Sequence, residues 1–293
     1  MKNTIHKKVL KYLLPLFLCP IVSTVHAQNF FTTFFLGASN YRGDLGNAPF
    51  PLSHSHPAGG LGFLYEINDR MGVRMDATFG KISGADSYGG PNKSRNLSFT
   101  SDLAEISLSF DYILFDLYDY KVSPYFFAGI GRFGFNPYTK DKNGNTVFLA
   151  ELNTEGEGFY NGRKAYKTKQ TAIPFGGGVM WAIDDNHRIA IELGIRKTFT
   201  DYLDDVSTTY VDANLLASKR GSTAVSMAYR GNELPGGLPY PPDGAKRGNP
   251  QNKDWYYFTG ISYRMRLMPP HSHRKYDTGS HIRRAKTSCP KMF

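Results

Sequence analysis

The chain has 293 residues, of which 14% are aromatic (19 Tyr and 21 Phe against 2 Trp), together with 30 Gly and a formal net charge of +10. That mixture suits strands, turns and membrane interfaces better than helices. Four of the positive charges, Lys2, Lys7, Lys8 and Lys11, lie in an N-terminal segment expected to be removed, and taking four from +10 leaves a mildly basic +6.

Residues 1–28 carry this basic start, an apolar run over 13–22, and the small-residue site Val25-His26-Ala27 before Gln28, the order of a secretory signal peptide. Cleavage is expected after Ala27, giving a signal peptide at 1–27. The apolar run holds Pro15 and Pro20 and falls short of the ~20 residues a membrane anchor needs. Leu18 before Cys19 and Pro20 after it do not form a lipid-attachment site. Export leaves Cys289 as the remaining cysteine, so no intramolecular disulfide is expected.

No later stretch has eighteen consecutive apolar residues, so an exported chain that enters a membrane must do so as a closed barrel. From residue 30 the apolar pattern has a period of two, in segments near the ~9–11 residues of a tilted transmembrane strand. The segments predict strands at 30–41, 58–67, 71–82, 103–115, 122–135, 171–183, 188–199 and 255–267. The connections alternate: 68–70, 116–121 and 184–187 are short, and 42–57, 83–102, 136–170 and 200–254 are long. Outer-membrane barrels place short turns in the periplasm and long loops outside. The expected fold is therefore all-β: an eight-stranded antiparallel transmembrane barrel over 28–268, followed by a disordered basic periplasmic tail at 269–293.

Two strands separate their faces cleanly. In one, Ala104, Ile106, Leu108, Phe110, Tyr112 and Leu114 alternate with Glu105, Ser107, Ser109 and Asp111. In the other, Ile189, Ile191, Leu193 and Ile195 alternate with Arg188, Ala190, Glu192, Gly194 and Arg196. A soluble lipocalin-type barrel would turn the apolar face inward, but the long loops and charged faces favour the membrane form. With the polar face inward, the lumen receives Glu66, Arg74, Asp76, Glu105, Asp111, Arg132, Glu192, Arg196, Arg264 and Arg266, five acids against five bases. Eight strands leave an interior wide enough only for side chains, so an ion-paired plug is expected in place of a pore. Arg74, Asp76, Glu105, Glu192 and Arg264 are its central candidates. Tyr65, Tyr112, Tyr125, Trp181, Trp255 and Tyr257 are expected on the outward face near strand ends, where aromatic girdles sit.

Few residues suggest chemistry. His54 with His56, and His271 with His273, have a spacing that can hold a metal, but no acid or cysteine completes either set, so no metal and no cofactor are expected. Asp201, Asp204 and Asp205 follow the seventh strand; without a companion nucleophile or base they are expected to organise the longest loop and not to break bonds. Arg274, Lys275, Arg283, Arg284, Lys286 and Lys291 in the tail face a single acid, Asp277. Such a charge run suits anionic lipid or an acidic partner surface, and in the periplasm no nucleic-acid partner is expected.

The run from Glu192 through Arg196, Asp201, Tyr202, Asp204 and Asp205 to Tyr210 resembles the signature of a family of Bacteroidota outer-membrane barrels that includes the PorG-type component of the type IX secretion system. Gly37-Ala38-Ser39-Asn40-Tyr41-Arg42-Gly43-Asp44-Leu45 and Arg247-Gly248-Asn249 leading into Asp254-Trp255-Tyr256 carry the same resemblance. It covers nearly the whole mature barrel and leaves out the basic tail. The resemblance implies a non-enzymatic barrel in contact with outer-membrane lipid and with the periplasmic ring lipoproteins of that machine. The alternative is a free-standing barrel serving envelope integrity or adhesion; a passive solute pore ranks behind both.

Overall fold

The computed structural model describes residues 29–46, 54–88 and 92–267; the expected signal peptide at 1–27 and basic tail at 269–293, with His271, His273 and Cys289, lie outside these residues. Eight long strands run in chain order: β1 (Phe30–Arg42), β2 (His56–Asn68), β3 (Met71–Ala85), β4 (Ser98–Ile113), β5 (Val122–Lys140), β7 (Lys169–Ala182), β8 (His187–Thr198) and β9 (Trp255–Arg266). A three-residue β6 (Thr146–Phe148) extends the outer part of β5 as a hairpin. Each long strand pairs antiparallel with the next, and β9 pairs with β1, so the sheet closes into a barrel without free edges.

Short polar residues make the tight turns at one end. The Asn68 side chain accepts the N–H groups of Arg70 (3.0 Å) and Met71 (2.9 Å), and Asp184 accepts those of Asn186 (2.7 Å) and His187 (2.8 Å). At the opposite end the long connections fold into a cap. It includes α1 (Ala213–Arg220) and α2 (Ser222–Ala228), two helices inside the loop between β8 and β9. Asp212 caps α1 by accepting the Leu215 N–H at 2.9 Å.

The barrel wall reverses the usual inside-out rule. Leu36 (74% exposed), Ile191 (68%), Ile106 (57%), Phe79 (57%) and Ile261 (55%) face outward, while Glu105, Asp111, Arg188 and Arg264 are buried at 1% or less. A continuous apolar wall around a charged interior is stable only when hydrocarbon replaces water outside. Among the described residues no helix is long and apolar enough to cross a membrane; the strands make the crossing.

Two face assignments from the sequence are corrected on β5. Tyr125 is fully buried and points inward, whereas Arg132 is exposed and points outward. Both faces of this strand carry large apolar side chains, with Tyr125, Phe127, Phe133 and Phe135 buried and Phe126 and Ile130 exposed, so alternation alone cannot orient it. Pairing does: Phe133 lies opposite inward Glu105 and Arg132 opposite outward Ile106. Arg188 takes the lumen place expected for Arg132, and the interior balance remains five acids and five bases. Tyr257 has the outward parity expected of it but is only 4% exposed.

Candidate functional site

The lumen is filled in three charged tiers. Near the turns, Arg188 pairs with Glu66, and Arg266 lies 3.5 Å from the same carboxylate. Tyr118, from the β4–β5 turn, folds over this end and donates to Glu66 at 3.2 Å. At mid-barrel, Arg74 lies 3.1 Å from Asp76, 3.2 Å from Glu192 and 3.5 Å from Asp111, while Arg264 reaches Asp111 at 2.9 Å. The Tyr125 hydroxyl donates to Glu192, and Thr33 donates to Asp76 at 3.0 Å. Toward the cap, Arg196 pairs with Glu105 at 3.1 Å and Tyr256 donates to the same acid at 2.6 Å. Aromatic rings interleave the tiers, with the Arg196 guanidinium 4.5 Å from the Phe258 centroid and that of Arg264 5.0 Å from Tyr125. The gap beside Arg74, Asp76, Glu192 and Arg196 is about 20 Å³, room for about one water.

Above the lumen, the sequence-predicted loop residues meet in one buried network. Tyr41, at the end of β1, donates to Asp204 at 2.6 Å and lies 3.3 Å from Asp254; Asp204 also accepts the N–H groups of Val206 (2.9 Å) and Leu45 (3.2 Å). Asp205 accepts from Thr154 and Tyr166, both at 2.6 Å, and Asp201 accepts from Ser207 at 2.7 Å. Tyr202 does not join the three aspartates directly; its hydroxyl points to Glu155 at 3.3 Å and its ring stacks on Tyr166 at 4.6 Å.

Glu155 is a hub that sequence reading missed. It accepts the N–H groups of Ser207 and Thr208, both at 2.8 Å, and the Arg247 guanidinium at 2.9 Å. Arg247 also donates to the Ala228 carbonyl at 3.1 Å and the Asp205 carbonyl at 2.5 Å. Arg95, equally unforeseen, grips Asp86 through two bonds of 2.7 and 2.9 Å and donates to the Arg247 carbonyl. Nothing near Glu155 or Arg95 in sequence marks them, since both lie in loops without a periodic pattern.

Two glycines are needed by close approach. A Cβ on Gly43 would sit 1.9 Å from an Asp254 carboxylate oxygen, and one on Gly248 would sit 2.5 Å from Asp44 and 2.6 Å from the Ser207 backbone. The three stretches that carry the family resemblance, around Tyr41, Asp204 and Arg247, therefore converge in space.

Burial raises the acids at the centre of this network. Asp204 is pushed well above the carboxylate range by burial, and Asp254 by burial and then by the charges of Asp204 and Asp201. Burial raises Asp201 to about 7, and Asp205 to about 6 against the pull of Arg247. Glu157 reaches about 8 through burial and then the neighbouring charges of Asp205 and Glu155.

His54 and His56, the described pair of the two, each have a different partner. His54 stacks on Tyr88 with centroids 3.4 Å apart, and His56 bonds Ser83 at 2.7 Å. Among the described residues no group of three His, Cys, Asp or Glu is arranged to hold a metal.

Solved structures with similar backbones include Neisserial surface protein A (TM-score 0.41, 11% identity, covering 82% of this chain and 97% of that one). OprG of Pseudomonas aeruginosa has a TM-score of 0.35 and 11% identity, with coverage of 81% and 97%. Outer membrane protein W of E. coli has a TM-score of 0.35 and 14% identity, with coverage of 83% and 100%. No curated protein matches the sequence. A family model does match, over residues 7–220, and the chain belongs to that family, described as Domain of unknown function (DUF6089).

Proposed function

We propose that the protein is an outer-membrane barrel acting as a non-catalytic, non-conducting component of the type IX secretion machinery, where it anchors or docks the periplasmic lipoprotein ring. The observation that carries this reading is the meeting of the three resembling stretches in the single network around Tyr41, Asp204 and Arg247. A filled lumen supports anchoring and not passage. The loop carboxylates accept from backbone N–H groups, hydroxyls and arginines, an arrangement that holds loops in place.

The test deletes the gene and follows export of a reporter carrying a C-terminal sorting signal, with co-purification of ring lipoproteins by the tagged chain. Loss of export and recovery of the ring are expected. Unchanged export, with the barrel recovered alone, would favour the free-standing role in envelope integrity or adhesion. One observation leans that way: the Glu155 carboxylate and the Arg247 guanidinium at the centre of the cap are paired with each other and with backbone groups of the same chain, so this part of the cap is held without a partner.

A further inference from the structure

We propose that a groove beside Trp255, on the outer wall at the loop end of the barrel, binds the phosphate of an anionic lipid headgroup in the surrounding leaflet; this rests on the membrane-spanning reading above. Strands β1, β9 and β8 are neighbours, and their register sets Arg42 opposite Trp255 and Trp255 opposite Lys197. By alternation these side chains share the outward faces of Leu36, Ile261 and Ile191, all more than half exposed. A cation, a tryptophan and a second cation thus stand side by side where the apolar band ends, the level at which tryptophan meets headgroups.

The groove has a volume of about 520 Å³, and Lys253 adds a third cation to its wall. Neither Arg42 nor Lys197 has an ion-pair partner among the described residues, and the Lys253 ammonium donates to the Pro250 carbonyl at 2.7 Å. The acid on the same wall, Asp44, turns a carboxylate oxygen to the Asn249 N–H at 2.8 Å. On β3 a lysine of the outer wall is neutralised within the chain: Lys81 lies 3.2 Å from Asp102 and 3.3 Å from the Tyr138 hydroxyl. Two cations without an ion-pair partner among the described residues, with a third beside them at a water–hydrocarbon boundary, call for an anion, and a guanidinium fork flanked by ammonium groups fits a phosphate. The groove opens onto the same wall as Leu36, Ile261 and Ile191, so acyl chains attached to that phosphate would lie along the apolar band. Free phosphate would gain nothing from that wall.

The chain's 2 Trp are Trp181 and Trp255, so Trp181→Phe leaves Trp255 as a lone fluorescent reporter. The full chain, in phosphatidylcholine nanodiscs, is titrated separately with bisphosphorylated lipid A, with the same lipid lacking phosphates, and with inorganic phosphate. A saturable change in Trp255 emission is expected with the phosphorylated lipid, weakened about tenfold by the paired substitutions Arg42→Gln and Lys197→Gln and weakened by salt. Lys253→Gln alone is expected to weaken it less. Heat-modifiable gel migration confirms that each variant is folded. Equal binding of the dephosphorylated lipid, or no loss in the folded double variant, overturns the proposal, and inorganic phosphate binding as tightly as the lipid overturns the lipid as source. A chain that never inserts into vesicles refutes the membrane reading, whereas an inserted barrel indifferent to phosphate refutes this inference alone.

Discussion

Asp201, Asp205 and Glu157 hold their protons to higher pH than ordinary carboxylates because burial disfavours the charged form. An acid raised in the folded state favours the protonated fold, so its stabilising effect is complete below the ordinary carboxylate value of about 4 and disappears as pH climbs through the raised values. Those values are about 6, 7 and 8, so the cap is expected to loosen progressively as pH rises from about 4 to about 8. Hydrogen exchange over 199–254, corrected for the intrinsic pH dependence, should accelerate across that interval, and Asp201→Asn should remove the part that develops between about 4 and 7. In the lumen the balance is different, because Arg196 and Glu105 neutralise each other at 3.1 Å. Glu105→Leu should cost about 3–5 kcal/mol by stranding a buried guanidinium, and adding Arg196→Met should recover much of it. Urea-induced loss of heat-modifiable migration measures both; a double variant as weak as the single would show that the tyrosine bond from Tyr256, and not charge pairing, is what matters.

At the scale of the strand, the two solvents on either side of β4 set the tolerance of each residue. Leu108 is 50% exposed on the outer face, and its neighbour Ser107 is buried in the lumen. Leu108→Lys should cost about 2–4 kcal/mol if it lies near the bilayer midplane, measured by folding into vesicles across a urea series; Ile106→Leu, which keeps the face apolar, should change little. The same contrast explains what was legible in the sequence. Over 104–112 of β4 polar and apolar residues alternate across the wall, and over 188–196 of β8 aliphatic residues alternate with charged or small ones; the predicted bounds lie within one residue of those observed on β8 and within five on β4. On β5 apolar residues fill both faces, and Arg132 and Tyr125 were exchanged between inside and outside. The loop aspartates were visible because they follow a strand at once, but Glu155 and Arg95 reach them through contacts 50 or more residues away in the chain, a distance no local pattern encodes. The helices α1 and α2 lie outside the sequence expectation because they are short, eight and seven residues, too few turns to show a helical period.

The whole molecule is shut at both ends and through its middle: Tyr118 and Leu117 fold under the turn end, the arginine–carboxylate tiers cross the centre, and Leu203 and Val206 plug the mouth beneath the cap. These closures belong to different parts of the chain, so removing one should not open a path. The loop segment that carries α1 and α2 returns on itself through the bridge between Thr209 and Lys246 and the bond from the Tyr210 N–H to the Ala245 carbonyl at 2.8 Å. Replacing 212–243 by a short turn removes the Ala228 carbonyl from Arg247 but keeps its bonds to Glu155 and Asp205, so the aspartate network should stay in place, with the barrel folded and heat-modifiable. In planar bilayers neither the intact chain nor this shortened form should give conductance steps, because Arg74 still bridges Asp76, Asp111 and Glu192 across the lumen and eight strands leave no room beside it. Steady channels from the intact chain would contradict the filled interior. Channels from the shortened form alone would place the only barrier in the cap and make the protein a gated pore instead of an anchor.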